Sequence, residues 1–287
     1  MRAGTAQFGF TLIELVITLV IATIVVSFAS LFISGPVRGF ADQSRRARLV
    51  DAADSALDRI GRDVRRALPN SVRTTASGGV AALELLSTVD GARYRAQPPG
   101  TDDQVLDFAA SDTSWNVLGP FTQIVKPFSS TGHHLAIYNA GVPGADAYAL
   151  SDVITPPGRT ITIAADGATG EDRVTVTPGF RFAYASPTQR VFLVDGPVTY
   201  LCDTVLGTLT RYSGYAIDAS QANRDSHAEL IANGATASLM ADQLASCSFV
   251  YTPGTAERAG LVTLEIAVSA QGETVSLLSQ AHVDNVP

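Results

Sequence analysis

The stretch that decides the fold is Phe10 to Ile33, FTLIELVITLVIATIVVSFASLFI, in which Glu14 is the only charged residue. As a helix it would rise about 36 Å at 1.5 Å per residue, which exceeds the ~30 Å hydrocarbon core of a bilayer. The preceding MRAGTAQFG contains Arg2 and no acid, and no clear cleavage site of a secretory signal follows the apolar run. Residues 10–33 are therefore predicted to form a transmembrane helix.

Glu14 is an unusual residue for such a helix. An ionised carboxylate costs roughly 2.5 to 3.5 kcal/mol at the centre of a spanning helix and somewhat less near its end. Acids inside membranes therefore usually have a partner. A plain signal anchor would not need one, so Glu14 indicates an interaction beyond anchoring.

The residues that carry a family resemblance are Gly9, Phe10, Thr11, Leu12, Ile13, Glu14 and Leu15. This run resembles the class III leader of type IV pilin-like proteins. The resemblance implies that residues 1–9 are a leader, that a prepilin peptidase cuts between Gly9 and Phe10, and that the new Phe10 amine is methylated. It also implies that Glu14 pairs with the amine of a neighbouring pilin or minor pilin, at an inner-membrane assembly platform.

The charges around the apolar run favour the opposite orientation. Four arginines and one aspartate follow the run, against Arg2 and the amine before it, and positive residues normally stay in the cytoplasm. Because the leader resemblance and the two cysteines favour export, we expect a single-pass inner-membrane protein with a periplasmic head. The flanking residues are Arg38, Asp42, Arg45, Arg46 and Arg48.

A second helical pattern follows the apolar run. Apolar residues recur every three or four positions up to Leu68, where Pro69 disfavours a helical residue before it. One long helix is therefore predicted over residues 10–68, with a kink or short unwound stretch near Gly35 and Pro36. The apolar positions are Leu49, Ala53, Ala56, Leu57, Ile60, Val64, Ala67 and Leu68.

From Val80 onward the apolar period changes to two, which predicts a mainly antiparallel β head. Turn dipeptides predict hairpins at Asp90-Gly91, Asp195-Gly196 and Gln271-Gly272. Single strands are expected at residues 135–138, 160–164, 173–177 and 247–251. The fold class is thus α+β and pilin-like, with head regions at residues 69–189 and 190–287.

Cys202 and Cys247 are the only cysteines. They lie at the end of one predicted strand and at the start of another, in a region expected to be exported, which favours a disulfide that would stabilise the head by roughly 4 kcal/mol. Two buried thiols remain the alternative. Two cysteines without further ligands at suitable spacing do not make the usual zinc set.

No catalytic or cofactor motif is present in the sequence, so neither enzyme activity nor a cofactor is expected. The loop Asp166 to Asp172 is a weak calcium candidate, because Asp166, Glu171 and Asp172 supply oxygen ligands, but a plain turn explains it equally well. Residues 74–287 carry 10 basic and 21 acidic residues, a net charge of −11. Nucleic-acid binding is therefore not expected.

Three segments of the head resemble minor pilins of mannose-sensitive haemagglutinin (MSHA) pili. This resemblance implies a minor pilin that helps to initiate or cap the pilus and contributes to surface attachment, with incorporation at the pilus tip. A type II secretion pseudopilin and a membrane-anchored periplasmic enzyme or binding protein remain alternatives. The segments are RVFLVDGPVTYLCD, CSFVYTPGTAERAGLVTLEIAVS and QAHVDNVP, at residues 190–203, 247–269 and 280–287.

Overall fold

The computed structural model describes residues 9–97, 104–167, 170–255, 258–284 and 286. Two compact units divide between Leu49 and Val50. Helix α1 spans Leu12–Arg65 and contributes residues to both units. Residues 1–8 of the predicted leader lie outside the described residues.

In the first unit, α1 is helical without a break from Leu12 to Leu49. The prediction of an unwound stretch near Gly35 and Pro36 is therefore wrong, while a kink there stays a prediction. A proline removes one backbone donor but leaves the neighbouring hydrogen bonds of the helix in place, so a helix can continue through it.

In the second unit, α1 buries one stripe of side chains. Ala53, Ala56, Leu57, Ile60 and Val64 are almost completely shielded from solvent, and their spacing places them on one helical face. The predicted amphipathic helix is confirmed over this segment.

The helix ends at Arg65, three residues before the predicted end at Leu68. The chain turns extended there because Leu68 N–H donates to Leu86 O at 2.8 Å and Thr88 N–H donates to Arg66 O at 3.1 Å. Strand pairing therefore ends the helix before Pro69 does.

The larger sheet has ten strands within the described residues, all paired antiparallel. Its order is β10-β9-β8-β2-β3-β7-β6-β4, with β1 beside β2 and β5 beside β8. The strands are β1 (Arg73–Ser77), β2 (Val80–Tyr94), β3 (Asp112–Leu118), β4 (Phe128–Ser130), β5 (His134–Ala136), β6 (Thr160–Asp166), β7 (Glu171–Phe180), β8 (Arg190–Asp203), β9 (Thr208–Ser213) and β10 (Thr236–Ala241).

A second antiparallel sheet contains β11 (Leu244–Thr252), β12 (Gly260–Ala270) and β13 (Glu273–Val283). The hairpin predicted at Gln271-Gly272 joins β12 to β13 and is confirmed, with both residues at positive φ. A short helix α2 (His227–Ala232) lies between β9 and β10. The four predicted single strands correspond to β5, β6, β7 and β11. The head thus contains much more β structure than a usual pilin head.

The hairpins predicted at Asp90-Gly91 and Asp195-Gly196 are wrong, because these pairs lie inside the continuous strands β2 and β8. The two strands pair with each other, and their register shifts between Ser87 and Asp90. The residues typical of turns therefore lie at a β-bulge, where one strand carries an extra residue. Asp90 uses its carboxylate to accept hydrogen bonds from two backbone N–H groups of a neighbouring loop, both at 2.6 Å.

The head is not separated at the predicted boundary near residue 189. β8 begins at Arg190 and lies in the middle of the larger sheet, between β2 and β9. A cluster of buried side chains, among them Trp115 of β3 and Leu193 of β8, also combines residues from both sides of that boundary. The second unit therefore contains both predicted head regions.

Candidate functional site: the N-terminal helix and its acid

The first part of α1 exposes its apolar side chains on all sides. Leu12–Ser30 is long and apolar enough to cross a membrane, and none of it is buried inside the protein. Phe10, at the predicted cleavage junction with Gly9, is 74% exposed, and Phe28 is 70% exposed. One such helix near the N-terminus is compatible with a single-pass membrane anchor.

Glu14 lies in the first turn of this helix and is exposed. Its backbone N–H donates to Thr11 Oγ1 at 3.3 Å, so Thr11 acts as the N-cap. The Thr-x-x-Glu spacing of a capping box was available in the sequence and predicts this helix start. The Glu14 carboxylate itself has no partner among the described residues.

The hydroxyl groups of the apolar segment differ from Glu14. Thr18 Oγ1 donates to Leu15 O at 2.9 Å, Thr23 Oγ1 to Leu19 O at 2.8 Å, and Ser27 Oγ to Thr23 O at 2.7 Å. These hydroxyl groups are satisfied within the helix, as an apolar environment requires. Glu14 is thus the charged side chain of the segment, and it has no partner among the described residues.

Cys202 and Cys247 form a disulfide, with Cα atoms 6.6 Å apart. Cys202 lies in β8 and Cys247 in β11, so the bond joins the larger sheet to the three-stranded sheet. The predicted pairing is confirmed. What the sequence did not indicate is that the two strands belong to different sheets.

The structure does not support the weak calcium candidate. Asp166 and Glu171 are opposite each other at the β6–β7 hairpin, but their side chains bind Asn116 and, for Glu171, also Arg95. Both oxygens of Asp172 lie 2.9 Å from Lys126 Nζ, and one also accepts from a backbone N–H. The three carboxylates therefore act as partners of side chains, and the described residues contain no metal-type cluster of acidic, His or Cys side chains.

A buried acid inside the head was missed by the sequence analysis. Glu84 of β2 is fully buried, and Arg73 Nε of β1 donates to it at 2.8 Å. Tyr215 OH donates to its second oxygen at 3.1 Å. Burial raises the pKa of Glu84, and the Arg73 contact opposes that shift. The lone acid in the apolar run AALELL was the available signal.

Ser130, His133 and Asp195 lie in an order that resembles a catalytic triad. Ser130 Oγ and His133 Nδ1 are 2.8 Å apart, and His133 Nε2 lies 3.5 Å from Asp195 Oδ1. Ser130 Oγ also accepts from Gly132 N–H at 3.1 Å, and Asp195 is largely exposed. The hydroxyl thus closes a local turn, and the acid is too solvated and too distant to orient the imidazole.

The comparisons with known proteins concern the N-terminus. The model of the prokaryotic N-terminal methylation motif matches residues 4–30, which include Gly9, Phe10 and Glu14. Neither the curated proteins nor the solved structures contain a match. The chain therefore carries a prepilin-type N-terminus, which indicates a type IV pilin-like or pseudopilin subunit.

Proposed function

We propose that this protein is a minor pilin of an MSHA-like type IV pilus, without enzyme activity and without a cofactor. The observation that carries the proposal is the apolar segment with its methylation motif and with Glu14, which has no partner among the described residues. An anchor alone would not need Glu14, whereas a helix that packs among other helices can use a charge to select one position.

In this mechanism the prepilin peptidase cuts between Gly9 and Phe10, and the Phe10 amine is methylated. The amine keeps its positive charge and pairs with Glu14 of a neighbouring pilin inside an apolar bundle. Sliding one helix along the other would separate the two charges in a medium of low dielectric constant. The pair therefore contributes specificity of axial position more than net stability.

The head would carry the specific role of a minor pilin, in initiation or capping of the pilus and in surface attachment. Its two disulfide-linked sheets form a large and covalently joined β structure. The terminal position of this head at the pilus tip is proposed from its resemblance to minor pilins of MSHA pili. The inner-membrane assembly platform and the other pilins are its expected partners, with the head in the periplasm before assembly.

Processing is tested by the intact mass of the protein purified from membranes of cells with and without the prepilin peptidase. We expect loss of residues 1–9 and gain of one methyl group only when the peptidase is present. A Gly9→Val variant should keep the leader and serves as the control. Recovery of an intact Met1 in cells that contain the peptidase would contradict the proposal and favour a membrane-anchored enzyme or binding protein.

A pseudopilin of a type II secretion system shares the same N-terminal motif and is the second candidate. The phenotype of a gene deletion distinguishes between the two candidate functions. A minor pilin predicts fewer surface pili and weaker attachment with normal protein secretion. Loss of secretion with normal pili would assign the protein to the secretion system.

A further inference from the structure

A surface cavity of about 470 Å³ lies in the larger sheet, next to the Asp90-Gly91 pair of β2. Sites for small ligands usually measure about 300 to 1,000 Å³. Strands β2, β3 and β8 and the loop after β3 form its lining, which includes Gly91, Arg93, Leu118, Pro120, Arg190 and Phe192. The cavity is therefore large enough for a ligand the size of a monosaccharide.

The floor of the cavity is apolar and is kept open by a glycine. Gly91 of β2 lies opposite Phe192 of β8, and a Cβ atom on Gly91 would lie 3.2 Å from Phe192 Cδ1. Any side chain at this position would therefore crowd the aromatic ring. Leu118 of β3 adds a second apolar side chain, which is 40% exposed. A glycine inside a strand often marks a place where a ligand approaches closely.

Two arginines stand side by side above this floor. Arg93 and Arg190 are directly opposite each other on β2 and β8, and like charges at such a position destabilise a sheet. Arg93 has no ion pair among the described residues, and none of the described residues that line the cavity is acidic. Arg190 has an exposed ion pair with Asp284 at 3.0 Å, which contributes little to stability. Folding alone therefore does not explain this pair of arginines.

Both guanidinium groups are held in place and still have donors left. Arg93 Nη2 donates to Gln189 Oε1 at 3.2 Å, and Arg190 Nη1 donates to Asp284 Oδ2 at 3.0 Å. A guanidinium group has five N–H donors. Each arginine can therefore donate further hydrogen bonds to an anion in the cavity.

The loop that forms one wall of the cavity is fixed by two carboxylates. Phe121 N–H donates to Asp172 Oδ2 at 2.7 Å. Thr122 N–H and Gln123 N–H both donate to Asp90 Oδ2 at 2.6 Å. The wall next to Pro120 is thus formed before any ligand binds, as is usual for a binding site.

We propose that this cavity binds an organic anion in which a carboxylate is attached to a ring, such as a uronic acid. The carboxylate would accept hydrogen bonds from Arg93 and Arg190, because the planar guanidinium group matches the geometry of a carboxylate. The flat face of the ring would lie on Phe192 and Leu118. Asp90 and Gly91 then have a role, since one fixes the wall and the other leaves the floor open.

A carboxylate on a ring fits the cavity better than inorganic phosphate does. Phosphate could bind the two arginines, but it would leave Phe192 and Leu118 in contact with water. A ligand with an apolar face also buries these side chains, which is favourable. The site does not rest on the proposed function. Its use in surface attachment, through an acidic polysaccharide, does rest on that function.

Calorimetric titration of the detergent-solubilised full-length chain with galacturonate tests the site. We expect a dissociation constant of about 1 mM or lower. Galactose carries a hydroxymethyl group in place of the carboxylate and should bind at least tenfold more weakly, as should inorganic phosphate. Galacturonate that binds no more tightly than galactose or phosphate would overturn the proposal.

Substitution of Arg93 tests the role of the guanidinium group. Arg93→Gln should weaken the binding of galacturonate at least tenfold, and Arg93→Lys, which keeps the charge but loses the planar fork, at least threefold. Arg181→Gln removes the same charge at an exposed arginine outside the cavity and should change the affinity less than twofold. An equal loss in Arg181→Gln would assign the binding to net charge and overturn the site.

A variant that leaves both arginines in place gives an independent test. Leu118→Glu adds a negative charge beside Arg93, which lies opposite it on β2, and should also weaken binding at least tenfold. The exposure of Leu118 makes this change compatible with the fold, and an unchanged urea midpoint verifies it. Unchanged binding in a folded Leu118→Glu protein would contradict the site.

Polygalacturonate distinguishes a polysaccharide on a surface from a free acid. At equal uronate concentration, tighter binding of the polymer than of galacturonate would support a role in surface attachment, whereas equal binding would support a free acid as the ligand. The outcome is separable from that of the proposed function. A processed and methylated chain that binds no galacturonate would overturn only the site, and binding by a chain that keeps residues 1–9 in cells with the peptidase would support the site and contradict the pilin function.

Discussion

Residues 12–30 and residues 50–65 belong to the same helix, but they differ in how far the rest of the chain buries their side chains. The second segment buries one stripe of side chains within its own unit, while the first leaves every side chain exposed. The acids differ in the same way. Asp63 accepts hydrogen bonds from Tyr200 at 2.6 Å and from Arg211 at 3.0 Å, whereas Glu14 has no partner among the described residues. Contacts within the chain thus cover one face of the second segment, whereas the described residues cover no part of the first.

The largest effect is expected from Glu14→Ala. In the proposed function, removing this acid leaves the amine of the neighbouring subunit without its partner, which costs about 3 to 5 kcal/mol for a buried pair. We expect at least a hundredfold loss of incorporation, measured as the protein recovered with sheared pili. Head stability and membrane insertion should not change, since the span becomes more apolar.

Asp63→Ala is the matched control for Glu14→Ala in the other segment. It leaves Tyr200 and Arg211 without their acceptor and should lower the free energy of unfolding by about 1 to 3 kcal/mol. Any folded protein should still be incorporated. Normal incorporation of Glu14→Ala would remove the distinction between the two acids.

Substituting one isoleucine in each segment measures the difference in packing between the two segments. Ile60 is fully buried, and Ile60→Ala should lower the free energy of unfolding of the head by about 2 to 5 kcal/mol. Ile17 is half exposed, and Ile17→Ala should change the free energy of unfolding of the head by less than about 0.5 kcal/mol. Urea unfolding of the detergent-solubilised chain, followed by tryptophan fluorescence, compares the two variants. Equal losses would show that the first segment also packs on its own chain.

Reduction of the Cys202–Cys247 disulfide should weaken the head and leave the first segment unaffected. The sequence separation of 45 residues corresponds to roughly 4 kcal/mol at most in the chain-entropy model. Unfolding in the presence and absence of a reductant measures this loss, and helicity in detergent reports on the first segment. Two thiols that react with a labelling reagent in the non-reduced, denatured protein would contradict the disulfide.

The smallest effect concerns the dependence of head stability on pH. The pKa of Glu84 is raised by burial, so the folded state binds its proton more tightly than the unfolded chain does. Stability should therefore decrease as the pH rises from the usual glutamate range through the raised pKa. Glu84→Gln should flatten this part of the profile, whereas Glu14→Ala should leave it unchanged. An unaltered slope in Glu84→Gln would assign the pH dependence to another group.

Local patterns predicted the features that depend on neighbouring residues. The apolar run, the amphipathic stripe and the Gln271-Gly272 hairpin were all visible in the sequence, since each depends on a short period or on a tight turn. Glu14 could also be identified from its neighbours, because a lone acid is unusual in an apolar run. The methylation motif includes Glu14, and its pairing with a neighbouring subunit is part of the proposed function.

Features that depend on strand register could not be predicted. Arg73 meets Glu84 because β1 and β2 pair in the register that places these two residues opposite each other. Asp90-Gly91 and Asp195-Gly196 have the composition of turns, yet the pairing of β2 with β8 holds both in extended strands. The carboxylates of the calcium candidate bind Asn116, Arg95 and Lys126, which come from other parts of the chain.

The disulfide between the two sheets has a consequence for a protein under tension. A pulling force that enters through α1 and leaves through β13 would pass from Cys202 directly to Cys247. Strands β9 and β10 and helix α2 lie between these cysteines in sequence, so the covalent bond removes them from the path of the force. About 150 Å of extended chain, at roughly 3.4 Å per residue, then cannot be released while the bond is intact.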